Sequence, residues 1–155
     1  MNWQAIFEIT NGIALIGWLL LIFAPRRPLV LSATLYLGVG LLCLIYTALL
    51  IGLLGGLLDP VRPSATTAAA LDDYSVRGLR ALFSSEGGVT VGWTHYLALD
   101  LFTGLWIARD GDGREVGRLV QAPILLATFL AGPLGLLVWL ALRTPLTRRP
   151  ARTAS

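Results

Sequence analysis

The sequence has few of the charged residues that a water-soluble surface needs. It contains no lysine and one histidine, and 14% of its residues are charged, whereas soluble domains carry about 25%. With 55% hydrophobic residues, a chain of 155 cannot bury all its apolar side chains in one compact core. The composition therefore predicts one membrane domain over residues 1–143 and a flexible arginine-rich tail over residues 144–155.

Cysteine is nearly absent as well. The single Cys43 rules out a disulfide within the chain, and no Cys or His spacing typical of a zinc site occurs. All 12 basic residues are arginines, clustered where helices should end. No basic stripe alternates with aromatic residues, so the pattern disfavours nucleic-acid partners and favours contacts with lipid headgroups. Nothing in the sequence indicates a cofactor.

Four apolar segments have the length of about 20 residues that a membrane-spanning helix needs. They cover residues 3–24, 29–54, 89–108 and 119–142. The predicted fold is all-α, a four-transmembrane-helix bundle with both termini and the long connection between spans two and three on one side. We name this side A, and side B holds the two short connections. Seven arginines fall on side A and five on side B, which favours a cytoplasmic side A only slightly.

Two further features shape the predicted bundle. Leu71–Phe83, in the long connection, mixes apolar and charged residues, which predicts an interfacial helix or a lid over a cavity. Gly132-Pro133 predicts a kink in the fourth span. The N-terminus has no basic residue before its apolar stretch and no transit peptide. It is therefore typical of a bacterial inner (plasma) membrane protein that its own first helix inserts.

Ionisable side chains lie inside the predicted spans, where each costs about 2.5–3.5 kcal/mol on insertion scales. At a rise of 1.5 Å per residue, Glu8 and His95 lie at similar depths and Asp100 lies near the midplane. Around the third helix, His95 is turned by about 140° from Asp100. The candidate site comprises Glu8, Asn11, His95 and Asp100, with Tyr46, Trp93, Tyr96 and Thr128 adjoining.

These polar residues allow two interpretations. In the first, burial favours a protonated carboxyl group, so Glu8 or Asp100 is a general acid and His95 is the base. In the second, the same groups only hold helices together: Glu8 pairs with His95, and Asp100 bonds a hydroxyl. A metal site is not predicted, because one histidine without an HxxxH or ExxH pair supplies too few ligands.

A family resemblance rests on two stretches of the sequence. Phe83–Asp110, FSSEGGVTVGWTHYLALDLFTGLWIARD, resembles the membrane family named after the plant protein abscisic acid deficient four. The similarity is strongest from Gly92 to Phe102. A second match is Phe129–Leu137, FLAGPLGLL. The four-span layout and the length are also similar, so the resemblance covers most of the chain.

The resemblance implies a function in carotenoid synthesis. In plants the family is tied to the conversion of violaxanthin to neoxanthin, an isomerisation that opens an epoxide to an allenic alcohol. By this resemblance the chain is an isomerase acting on a carotenoid or a related isoprenoid in the bilayer. The acid is then Asp100 or Glu8, the base His95, and Trp93 and Tyr96 stack on the polyene.

The remaining implied contacts are with substrate and with protein. Asn11, Tyr46 and Thr128 are the other candidate substrate-binding residues. Membrane lipids and the isoprenoid are the expected partners, with a homo-oligomer or an enzyme of carotenoid synthesis as candidate protein partners. The alternative function is a non-catalytic subunit that binds carotenoid or lipid, or that has only a structural role.

Overall fold

Every regular element is helical in the part of the chain that the structure describes. A computed structural model describes residues 1–59 and 75–147. The elements are α1 (Trp3–Phe23), α2 (Pro28–Ala33), a π-helical segment π1 (Thr34–Gly40), α3 (Leu41–Leu54), α4 (Val76–Leu82), α5 (Glu86–Gly113), α6 (Arg118–Leu130) and α7 (Gly132–Thr147). The all-α prediction is confirmed. α7 ends at Thr147, inside the segment predicted as a tail, and residues 148–155 of that segment lie outside the described residues.

Two of the described helices are long and apolar enough to cross a membrane. They are α1 and the continuous helix Pro28–Leu54, which joins α2, π1 and α3. The Asn2 side chain caps α1 by accepting a hydrogen bond from the Ala5 backbone N–H at 3.1 Å. Within π1, the absence of a side chain at Gly38 lets Leu101 of α5 pack closely. These helices match the first two predicted spans.

Helix α5 is longer than predicted. The sequence Asp110-Gly111-Asp112-Gly113 predicts a turn, and the structure shows helix through Gly113. Tertiary contacts outweigh the local turn preference here. Gly111 packs so tightly on Gln121 that a Cβ atom there would overlap the Gln121 amide group, and Asp112 forms an ion pair with Arg26 at 2.8 Å. The predicted loop 109–118 is therefore reduced to a few residues.

The helix predicted in the long connection is present in part. The described portion, α4, begins at Val76, while residues 71–74 of the prediction lie outside the described residues. A tight corner at Ser84 and Ser85 joins α4 to α5. This corner requires glycine at position 88, because a side chain there would overlap the Leu82 carbonyl group. The Phe83 ring packs directly on Gly92, where a side chain would overlap it.

The fourth predicted span, residues 119–142, is a helical hairpin and not a single helix. Ala131 has an extended backbone (φ −155°, ψ 84°), after which α7 begins at Gly132. α7 then packs back on α6, since a methyl group at Gly135 would overlap the Thr128 backbone. In a continuous helix these two residues would be about 10 Å apart. The Gly-Pro pair therefore marks a reversal of the chain, where the sequence predicted a kink.

Both arms of the hairpin have their outer ends at side B. Gln121 Nε2 in α6 donates to Asp112 Oδ1 at 3.1 Å, and Trp139 Nε1 in α7 donates to Asp110 Oδ2 at 3.0 Å. The tip of the hairpin touches Asp100, halfway along α5. The described chain thus has three long helices and one hairpin, and α7 ends at side B, whereas the four-span prediction has it end at side A.

Charged groups at side B hold the hairpin against the long helices. The Arg26 side chain is 6% exposed, and its Nη1 donates to the Ala108 carbonyl at 3.0 Å, to Asp112 Oδ1 and to Gln121 Oε1. Burial lowers the pKa of the Arg26 guanidinium, while the neighbouring Asp112 carboxylate raises it. One guanidinium thus joins the end of α5 to the start of α6.

A second cluster ties α7 to α5. Asp110 accepts hydrogen bonds from Arg114 Nε at 2.9 Å and Arg143 Nη2 at 3.1 Å, besides the bond from Trp139. The Arg143 guanidinium also lies 5.3 Å from the centroid of the Trp106 ring. α7 therefore contacts α5 at two points along its length, at Asp110 through this cluster and at Asp100 through the hairpin tip.

Replacing Arg26 by Met is expected to destabilise the protein by about 3 kcal/mol, because Asp112 and the Ala108 carbonyl lose a buried charged donor. Arg27→Met is the matched control, since Arg27 is exposed. It should change stability by less than about 0.5 kcal/mol. Thermal unfolding of the purified protein in detergent measures both variants, and equal effects would contradict this role for Arg26.

Candidate functional site

Asp100 is the most deeply buried carboxyl group in the described chain. It lies at the middle of α5 and is 9% exposed. Its polar neighbours are the Tyr96 hydroxyl, one turn earlier on α5, and the backbone N–H of Gly132 at the hairpin tip. Its Oδ2 atom is buried and has no hydrogen-bond partner among the described residues. The hydrogen-bonding capacity of this carboxyl group is therefore not fully satisfied by the described residues.

The hairpin tip makes room for this carboxyl group. A side chain at Gly132 would overlap both oxygens of Asp100, so the close approach depends on glycine. Pro133 follows in the first turn of α7, where a missing N–H leaves no hydrogen bond unmade. The free N–H groups at the start of a helix carry partial positive charge, which favours an oxygen acceptor such as Asp100. Gly132 and Pro133 thus place the start of α7, with its free N–H groups, against the Asp100 carboxyl group.

An aromatic stripe leads along α5 to Asp100; it consists of Phe7, Trp93 and Tyr96. Phe7 stacks on Trp93 with ring centroids 5.9 Å apart, and Trp93 stacks on Tyr96 at 5.2 Å. Trp93 Nε1 also donates to Asn11 Oδ1 at 3.1 Å, which ties the stripe to α1. The structure therefore joins four predicted site residues, Asn11, Trp93, Tyr96 and Asp100, in one continuous strip.

His95 and Glu8 lie apart from this strip. The exposed His95 ring packs on Tyr46 of α3, with centroids 5.3 Å apart, on another face of α5. Glu8 is exposed and accepts a hydrogen bond from Gln4 Nε2 at 2.8 Å. No hydrogen bond or ion pair joins Glu8 to His95 among the described residues. The predicted Glu8–His95 pairing is wrong, and His95 does not share a pocket with Asp100.

Thr128 lies near the tip but is not turned towards the carboxyl group. Its hydroxyl donates to the Ile124 carbonyl within α6 at 2.8 Å, and the residue packs on Gly135. Two site residues, Phe7 and Gly132, were not predicted from the sequence. The Gly132-Pro133 pair marked an irregular position in the helix and could have indicated Gly132. Nothing in the sequence distinguishes Phe7 from the other apolar residues of its span.

The strip can bind a long apolar molecule and exchange a proton with it. Flat rings provide stacking surface for a conjugated chain, and a carboxyl group in a low-dielectric site can give or take a proton without competition from water. Within the described ranges, no three His, Cys, Asp or Glu side chains converge as a metal site would need.

Comparison with known proteins gives one match. Searches of curated proteins and of solved structures returned no match. A family model, described as ABA DEFICIENT 4-like, matches residues 5–139. Since this match covers most of the 155 residues, the chain belongs to the ABA DEFICIENT 4-like family.

Proposed function

We propose that this protein is an integral membrane isomerase that binds a carotenoid or related isoprenoid and moves a proton on it through Asp100. The family is related to neoxanthin synthesis, which supports a carotenoid substrate. The observation that carries the proposal is the free Asp100 Oδ2 at the end of the aromatic stripe. A buried acceptor without a partner destabilises a fold unless a ligand or a proton satisfies it.

In the membrane, α1, Pro28–Leu54 and α5 would be the spanning helices, and α6–α7 a re-entrant hairpin. The two apolar helices support membrane insertion. At 28 residues, α5 is about 42 Å long, enough to cross the bilayer. Its charged residues are concentrated in its end turns, apart from Asp100. The extended backbone at Ala131 is compatible with this depth because its polar groups are hydrogen-bonded: its N–H donates to the Ala127 carbonyl, and its carbonyl accepts from the N–H groups of Leu134 and Gly135. We propose a bacterial inner membrane as the location.

The geometry favours a single carboxyl group acting as both acid and base. The protonated Asp100 would donate its proton to an oxygen atom of the isoprenoid, breaking the carboxyl O–H bond, and the C–O bond to that oxygen would break with its electron pair left on the oxygen. The resulting carboxylate would then accept a proton from a nearby C–H group, whose electron pair forms the new double bond. The lipid keeps its composition and Asp100 regains its proton, so the isomerisation requires no oxidant or cofactor. Tyr96 would stabilise the carboxylate by donating a hydrogen bond.

Pigment analysis in a carotenoid-producing bacterial host tests this function. Expression of the protein is expected to yield a carotenoid isomer that the host alone does not make. Asp100→Asn should reduce that product by at least about 100-fold, as expected for the loss of acid–base catalysis. His95→Ala should change it less than threefold, because His95 lies on another face of α5.

Each contrary outcome has a distinct meaning. Loss of product in both variants, with normal amounts of protein, would contradict the single-carboxyl mechanism and favour an Asp100–His95 pair. Pigment that co-purifies unchanged would favour the alternative of a binding subunit. A well-expressed protein that neither binds nor converts pigment would overturn the carotenoid assignment.

A further inference from the structure

We infer that Asn11 is a positioning residue, which fixes the orientation of the Trp93 ring and acts on the lipid only through that ring. The inference rests on the proposed function, because it assumes that a conjugated chain stacks on Trp93. Trp93 Nε1 of α5 donates to Asn11 Oδ1 of α1 at 3.1 Å. Among the described residues, no other side-chain hydrogen bond joins these two helices.

The Asn11 amide has only one favourable orientation at this position. Its Nδ2 donates to the Phe7 carbonyl, one turn earlier in α1, at 2.7 Å. A reversed amide would turn a donor towards the indole N–H and an acceptor towards the carbonyl, so both hydrogen bonds would be lost. The backbone of α1 therefore holds the Asn11 Oδ1 atom at a fixed point that faces Trp93.

Ring stacking alone leaves the Trp93 ring free to rotate. The residue is 39% exposed, and its stacking partners Phe7 and Tyr96 provide flat surfaces on which an indole can turn without losing contact. An indole N–H group in an apolar environment is unfavourable without an acceptor. The single acceptor on α1 therefore selects the ring orientation in which Nε1 points towards Asn11.

The polar neighbours of Asn11 form no such contact. The Thr10 hydroxyl donates to the Phe7 carbonyl at 3.0 Å, and Glu8 accepts from Gln4 at 2.8 Å, so both bond within α1. Asn11 lies about 12 Å along the helix from its first residue. Polar side chains at such depth in a span are costly and tend to be functional.

Helix association does not account for the Asn11–Trp93 bond. The buried interface between α1 and α5 is apolar and close-packed, because Gly17 lies against Leu101 and Gly104 lies against Trp18. The bond to Asn11 lies outside this interface, where Trp93 is partly exposed. It therefore orients a surface that a ligand can reach.

The orientation of Trp93 bears on the reaction because a conjugated chain is stiff. Trp93 precedes Asp100 by seven residues, which is about 10 Å along α5, and Tyr96 lies between them. A chain that follows a tilted indole would still bind, but its reacting atoms would miss the Asp100 carboxyl group. Small misplacements of this kind lower the rate of the chemical step more than they weaken binding.

The hydrogen bond can be observed in the ¹H–¹⁵N spectrum of the full-length protein in detergent. Five tryptophans give five indole N–H resonances, and the one that disappears in Trp93→Phe belongs to Trp93. Asn11→Leu should move this resonance upfield, because the N–H group loses its acceptor. Thr10→Val is the matched control, since the Thr10 hydroxyl bonds only within α1, and it should leave the resonance in place.

Conversion of violaxanthin by the full-length protein in nanodiscs measures the functional effect. Asn11→Leu is expected to lower kcat about fivefold, the effect of one hydrogen bond. KM should change less than twofold, because the stacking surfaces remain. In a Trp93→Phe background, Asn11→Leu should lower kcat less than twofold, since phenylalanine has no N–H group to orient. Thr10→Val should keep both constants.

Two results would overturn the inference while the proposed function stands. One is an equal loss of kcat in the two backgrounds, which would mean that Asn11 acts on the lipid directly or through the fold. The other is a Trp93 resonance that does not move in Asn11→Leu. If wild type leaves violaxanthin unchanged, the inference fails together with the proposed conversion of this pigment.

Discussion

The two ends of the chain are expected to lie on opposite sides of the membrane. The N-terminus precedes α1 at side A, and in the proposed arrangement of three spans and a re-entrant hairpin α7 ends at side B. A bundle of four complete spans would put both ends on one side. The hairpin therefore predicts termini on opposite sides of the membrane, and four complete spans predict termini on the same side.

The arginines now indicate an orientation. Among the described residues, two arginines lie at side A, Arg77 and Arg80, and six lie at side B, Arg26, Arg27, Arg109, Arg114, Arg118 and Arg143. Basic residues are retained on the cytoplasmic side. Side B should thus be cytoplasmic, which reverses the slight preference drawn from a four-span layout. Arg143 changes side because α7 returns to the side from which α6 enters, and the count leaves out Arg62, Arg148, Arg149 and Arg152, which lie outside the described residues.

Single-cysteine labelling measures this topology. In a Cys43→Ala background, Arg77→Cys should react with a membrane-impermeant maleimide on intact cells. Ser155→Cys should react only after the membrane is permeabilised. Glu115→Cys, between α5 and α6, is the matched control and should behave like Ser155→Cys. If Ser155→Cys instead reacts together with Arg77→Cys, four complete spans cross the membrane and the re-entrant assignment is wrong.

The sequence predicted the long helices well because each depends on a local pattern. An apolar run of about 20 residues defines α1 and Pro28–Leu54 almost without reference to the rest of the chain. The shared face of Trp93, Tyr96 and Asp100 also follows from helical spacing alone, and the stacked rings show it.

The hairpin could not be predicted in this way. An apolar segment of spanning length has the same composition whether it crosses the membrane or folds back to the side from which it entered. The return is decided by contacts distant in sequence, such as Trp139 with Asp110 and Gly135 with Thr128. For the same reason, Asp110–Gly113 resembles a turn and becomes helix once Arg26 binds Asp112. Depth alone placed Glu8 beside His95, but the rotation of each helix about its axis directs them to different neighbours.

Replacing Gly132 by Val is expected to damage both the fold and the proposed reaction. Any side chain at this position overlaps the Asp100 carboxyl group, which is short, buried and unable to move aside freely. Forcing extra atoms into a packed site costs about 1–3 kcal/mol. The carboxyl group would also move away from the aromatic stripe, so product should fall at least as far as in Asp100→Asn. Thermal unfolding in detergent and pigment analysis measure the two effects.

A helical glycine with free space is the matched control. Nothing lies within 4 Å of a methyl group built at Gly12 of α1. Gly12→Ala should therefore be neutral or slightly stabilising, since alanine favours helix. The double variant Gly132→Ala, Asp100→Ala tests the contact itself. If the overlap with Asp100 is the cause, the double variant should be more stable than the sum of the two single changes predicts. Strict additivity would mean that Gly132 is required by the turn alone, and that the hairpin tip does not hold Asp100 in place.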